Sequence, residues 1–222
     1  MDWQERATKE KSLSEVYWKA RKIASTRRNF GVAVIVFVLF GLLVAFDWHF
    51  DAKVLTLAAL NTLLSQIAEI GFTLTTSILG FLIAGFSIFA SITRPEIFAG
   101  LAKLDHKDTG LSRLQFIFFN FLLVFIHYLA FLAMSIVLQL VLPLAPALVT
   151  ALSPHVPSAS VIVWWSAASV LAVLLGWLTF LLMLLKSFIW NIYQAVLVVI
   201  VTGDAIVALE NKLANSTASK DQ

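Results

Sequence analysis

Residues 30–46 read FGVAVIVFVLFGLLVAF, an apolar run with no charged residue in it. A helix rises 1.5 Å per residue, so a bilayer's hydrocarbon core of about 30 Å is crossed by about 20 residues. With Trp48 as an interfacial anchor the run is long enough to span, and three more segments of the same character follow. The second is centred on residues 72–92 and stopped by Arg94-Pro95, and the third runs over 114–142 and stops at Pro143. The fourth starts at Val161 behind Trp164 and Trp165. The spans are expected at about 30–48, 70–93, 114–142 and 161–185.

Composition agrees with this reading. The chain has 222 residues, 60% hydrophobic and 13% charged, whereas a soluble domain carries about a quarter of its residues as charges. Lipid, not water, must surround most of these side chains. Cysteine is absent, which excludes disulfides and thiolate metal sites. A net charge of +3 is too small to point to nucleic acid. No cleavable signal peptide is recognised, because 29 residues precede the first run and no small-x-small pattern follows it. The fold class expected is an all-α membrane protein with four transmembrane helices, an N-terminal amphipathic interfacial helix and a last helix extended into the cytoplasm.

Lys and Arg are placed asymmetrically. Eight precede the first span, four (Arg94, Lys103, Lys107, Arg113) lie between the second and third, and Lys186, Lys212 and Lys220 follow the fourth; Lys53 alone falls elsewhere. By the positive-inside rule both ends and the middle connection are cytoplasmic, in a plasma membrane taken to be a bacterial inner membrane. The parts are a basic segment 1–29, a transmembrane domain 30–202 that includes a helical extension 186–202, and a polar tail 203–222.

Residues 12–28 suggest an amphipathic helix. Ser12 and Glu15 make a capping-box pattern, and Leu13, Val16, Tyr17, Ala20, Ile23 and Ala24 share a face. Lys19, Arg21, Lys22, Arg27 and Arg28 lie largely off that face. They suit an anionic inner leaflet or a cytoplasmic protein partner, and a topology determinant is the plainer account. The loop 143–160 holds Pro143, Pro146, Pro154 and Pro157 and is expected to be extended. Residues 105–108 read as a solvated turn rather than a metal site.

Residues 161–201 are apolar over about 60 Å as one helix, twice a hydrocarbon core. No turn signal stands near Lys186, so one helix is expected to leave the bilayer there and continue to Thr202. Its apolar surface needs covering, which predicts a homo-oligomer, with a partner protein as the other candidate.

The second span carries the most informative pattern. Steps of 3.6 residues from Thr62 meet Gln66, Glu69, Thr73, Thr76, Gly80, Ala84, Ser87 and Ser91, all polar or small. Such a line serves either as a packing ridge, with Gly80-x-x-x-Ala84 as its small-xxx-small pair, or as the lining of a water-filled path with Glu69 at the outer mouth. In the third span Asn120 and His127 are polar groups at membrane depth. For His127 an interhelical hydrogen bond to a Ser or Thr of the second-span stripe competes with a titrating role.

No phosphate loop, HExxH, nucleophile elbow or paired intramembrane carboxylates occur. Catalysis and cofactors are therefore not expected. The sequence favours a homo-oligomeric channel or pore gated from the cytoplasmic face. A non-conducting scaffold or sensor that recruits a cytoplasmic effector is the other reading. In outline the chain resembles small multi-span subunits of bacterial antiviral defence modules, a likeness of architecture that implies such an effector.

Overall fold

The computed structural model describes residues 12–21, 25–106, 109–154, 156 and 158–218. Among the described residues it is 88% helix without strands, and four of the helices are long and apolar enough to cross a membrane. The chain is therefore a membrane protein. In order, the helices are α1 (Leu13–Ala20), α2 (Ser25–Phe50), α3 (Leu57–Ile92), α4 (Pro95–Lys103), α5 (Arg113–Val141), α6 (Ala145–Leu152) and α7 (Ala159–Ala218).

Local chemistry sets the ends. Thr56 Oγ1 accepts the Ala59 N–H and starts α3, and Pro95 occupies the first turn of α4, where its missing N–H is not needed. Ser112 and Gln115 close a reciprocal capping box at α5: each side-chain oxygen accepts the other's backbone N–H at 3.1 Å.

Two expectations change. The proline-rich connection is not extended: a 3-10 turn spans Leu142–Leu144 and α6 follows. Pro143 and Pro146 sit in first turns, where a fixed φ near −65° starts a helix instead of breaking one. The helix expected over 12–28 is assigned over Leu13–Ala20, and α2 then begins at Ser25. Residues 22–24, Lys22 included, lie outside the described residues. Helix α7 passes Lys186 without a break and continues beyond Thr202 to Ala218.

The chain divides into two units, to which α3, α5 and α7 each contribute residues. The first holds the described residues of 24–83 and 124–185. Between apolar helices in lipid there is little hydrophobic drive, so close fit and buried hydrogen bonds must hold them together. Helix α2 lies on α7, with Gly176 so near the Ala33 carbonyl that a Cβ would stand 3.3 Å from it. The Phe30 and Phe180 rings meet edge to face at 6.3 Å. Helix α5 joins α7 through the Tyr128 hydroxyl, which donates to the Leu181 carbonyl at 3.0 Å, and through Phe131 set perpendicular to Trp177. Helix α3 joins α5 where Gly71 faces Phe131 and Ser135. One turn away the Gln139 amide donates to the Ala68 carbonyl at 3.2 Å.

The other end of this unit is closed by a tryptophan cluster. Trp48 packs on Trp164 and Trp165 with ring centroids 5.5 and 5.4 Å apart, and the Trp164 indole N–H donates to the Leu55 carbonyl. Asp47 holds the α2–α3 connection, because its carboxylate accepts the N–H groups of Val54 (2.8 Å) and Leu55 (3.3 Å). Within that connection Asp51 and Lys53 adopt φ of 47° and 56°, left-handed values that non-glycine residues rarely take. Replacing Asp47 by Ala strands two N–H groups at a site that is 7% exposed. We expect it to cost about 1–3 kcal/mol in thermal unfolding, with Asp47→Asn losing less.

The second unit holds the described residues of 1–23, 84–123 and 186–222. Here Val16, Tyr17 and Ala20 of α1 pack against Leu111, Phe116, Phe119 and Leu123. Phe86 stacks on Phe121 at 4.6 Å, Phe121 meets Phe188 of α7, and Phe98 of α4 meets Phe89. Ile97 lies 3.7 Å from where a Cβ on Gly203 would be. A tight turn joins α4 to α5: His106 donates its backbone N–H to Leu111 O, and its ring stacks on Phe116 at 4.1 Å. The expected solvated turn at 105–108 is thus a half-buried one at His106; residues 107 and 108 lie outside the described residues.

Candidate functional site

Helix α3 has two faces. Leu60, Leu64, Ala68, Gly71, Thr75, Leu79 and Leu82 are buried at a spacing of three or four residues. The line Thr62, Gln66, Glu69, Thr73, Thr76 and Gly80 runs two residues out of step with it, about 200° around the helix at about 100° per residue. Every member of that line is exposed on the single chain. Within about 60° either side of it, from Thr62 to Gly80, the only other residues are Ser65 and Ser77, also exposed. The polar face therefore points away from the other helices of its unit. Beyond it on α3, Ala84, Ser87 and Ser91 in the other unit are exposed too.

Within the single chain, close packing takes place on the opposite face. A Cβ at Gly71 would stand 2.5 Å from Phe131 Cε1 and 2.8 Å from Ser135 Oγ, whereas one at Gly80 would meet nothing within 4 Å. Gly71-x-x-x-Thr75, itself a small-xxx-small pair, makes the crossing, and Thr75 Oγ1 donates back to the Gly71 carbonyl. Phe131 fixes the choice, since its ring fills the space that only a glycine leaves.

Two hydroxyls on the polar face have their protons directed into the helix. Thr62 donates to the Ala58 carbonyl at 3.0 Å and Ser77 to the Thr73 carbonyl at 2.9 Å. A carbonyl can only accept, so each hydroxyl is the donor and presents oxygen lone pairs outward. In the other unit Ser91 does the same to the Ser87 carbonyl.

The remaining candidates are dispersed. His127 is half-buried with its ring edge to face with Phe180 of α7 at 5.2 Å, on the packed side of its unit. Asn120 is buried in the other unit. Arg21 lies over the exposed Trp18 ring at 4.8 Å, and Lys19 is half-buried. Arg27 and Arg28 are exposed in the first turn of α2. Sequence reading missed Ser65 and Ser77, which a wider angular window would have caught. It also missed Asp47, whose role depends on the fold of the following loop. Among the described residues no three His, Asp or Glu stand together as a metal site. The chain matches no protein-family model, no curated protein and no solved structure.

Proposed function

We propose that this chain is the subunit of a homo-oligomeric channel of a plasma membrane, with the polar face of α3 turned towards the axis. One observation supports the reading above the rest: a helix long enough to span presents Gln66, Glu69, Thr73 and Thr76 on the side facing away from its own unit. Facing lipid, an ionised carboxylate costs at least about 2.5 kcal/mol at membrane depth, and Gln adds to that. Copies of the same face gathered round water remove the cost. In this reading both termini are cytoplasmic, α1 lies at the inner interface, and α7 beyond Lys186 continues into the cytoplasm, where gating acts.

The chain contains no cysteine, which makes the test direct. Single cysteines at Thr73 and Thr76 are expected to form disulfide-linked dimers in oxidised membranes, and a cysteine at the buried Leu64 is expected to form none. Equal cross-linking at all three positions, or none at Thr73 and Thr76, would overturn the assembly. Ion flux from liposomes containing the purified chain tests conduction.

A scaffold that recruits a cytoplasmic effector is supported by a different feature. Ile189, Trp190, Tyr193, Val196, Leu197 and Ile200 of α7 are exposed, an apolar surface suited to a protein neighbour. Recovery of a stoichiometric partner together with liposomes that pass no ions would favour this reading over the channel.

A further inference from the structure

Resting on the channel reading, we propose that the pathway selects inorganic cations, and that Glu69 is its selectivity residue, set inside the outer half of the membrane span. The depth follows from contacts inside one unit. Helix α2 carries the exposed Arg28 at one end and Trp48 at the other, about 20 residues or about 30 Å apart, one hydrocarbon thickness. Trp48 packs on Trp164, and Trp164 is bonded to Leu55, so Leu55, just ahead of α3, marks the tryptophan boundary. Glu69 lies about 12 residues into α3, so it stands at most about 18 Å inward. The bond from Gln139 to the Ala68 carbonyl places that level about 9 Å below the tryptophans. Tyr128 is bonded to Leu181, about 17 residues inward of Trp164, and Gln139 lies about 11 residues back outward along α5.

Charge then identifies the ligand. Across 29–48, 54–83 and 124–185, the stretches that carry the spans of this unit, the charged residues are Glu69 and Asp47, and Asp47 already holds the Val54 and Leu55 N–H groups. The spans therefore supply no fixed cation to balance it, and a carboxylate at this depth needs a counter-charge. A mobile cation from water provides one. Further along the same side of α3, about 10 and 12 Å from Glu69, Thr62 and Ser77 turn oxygen lone pairs outward, and oxygen donors suit hard cations. Repeated round an axis, Glu69 forms an acidic ring of the kind that excludes anions.

The test measures the permeability of K+ relative to Cl− in liposomes under a KCl gradient. Wild type is expected to prefer K+, Glu69→Gln to lower that preference about tenfold, one ring charge being worth more than about 1.4 kcal/mol at this depth, and Glu69→Lys to invert it. Glu69→Asp and Glu96→Gln, the latter on the exposed surface of α4, are expected to keep it. If Glu69→Lys fails to fold, the near-isosteric Gln variant decides. Conduction by Glu69→Gln with an unchanged ratio, or an equal loss in Glu96→Gln, overturns the assignment and leaves the channel standing. A wild-type protein that passes no ions overturns both.

Discussion

Replacement of Gly71 by Leu is expected to abolish the native packing of α3 on α5. Even a single methyl at this position meets Phe131 Cε1 at 2.5 Å and Ser135 Oγ at 2.8 Å. Phe131 cannot give way, because it is fully buried and held perpendicular to the Trp177 ring, 5.3 Å away. Overpacking of this kind costs about 1–3 kcal/mol for small additions. Gly71→Ala should fall in that range, less the roughly 1 kcal/mol that Ala gains in a helix interior. Leucine adds three more carbons against the same ring and should unfold the unit. Thermal unfolding in mild detergent, followed by circular dichroism, reads both. The same change at Gly80 meets nothing within 4 Å in the single chain and should leave the subunit folded. A Gly71→Leu protein as stable as wild type would show that this crossing is not the one the chain uses.

Tyr128→Ala is expected to have the next largest effect. Tyr128 is fully buried, and its hydroxyl donates to the Leu181 carbonyl, tying α5 to α7 across 53 residues of sequence. In soluble cores an aromatic residue cut to Ala loses about 3–5 kcal/mol, part of it for transfer from water. In lipid that part shrinks, because the unpacked side chain is solvated by hydrocarbon, while the cavity term remains. A loss of about 2–4 kcal/mol is therefore expected. Tyr128→Phe keeps the ring and removes only the hydroxyl, for a loss of about 1 kcal/mol. If the two variants unfold alike, the ring contributes little and α5 and α7 are held by other contacts.

The Gly71 effect and the channel reading concern opposite faces of α3. The face carrying Gly71 and Thr75 builds the subunit, and the face carrying Glu69 and Thr73 is left for what lies outside it. Variants on the first should change unfolding, and variants on the second should change cross-linking and ion preference with the fold intact. That separation is itself a check on the assignment of the two faces.

Four uninterrupted apolar segments and the one-sided placement of Lys and Arg were legible in the residues themselves. Each rests on a local property, the length of chain that hydrocarbon must cover and the charges flanking it. The continuity of α7 past Lys186 was legible too, since no residue there breaks a helix. The polar line on α3 was visible as periodicity, but its direction was not. Gly71-x-x-x-Thr75 and Gly80-x-x-x-Ala84 are equivalent pairs to any local rule, and only the Phe131 ring, some 60 residues away, selects the first for packing. The same applies to Asp47, whose role appears only once the loop folds back onto its carboxylate. Pro143 and Pro146 could either extend a chain or start a helix, and their neighbours decided. Sequence determined which segments are apolar, because that depends on each residue's own chemistry. Tertiary structure alone decided which side of each helix is taken, because that depends on the shape of a partner distant in the chain.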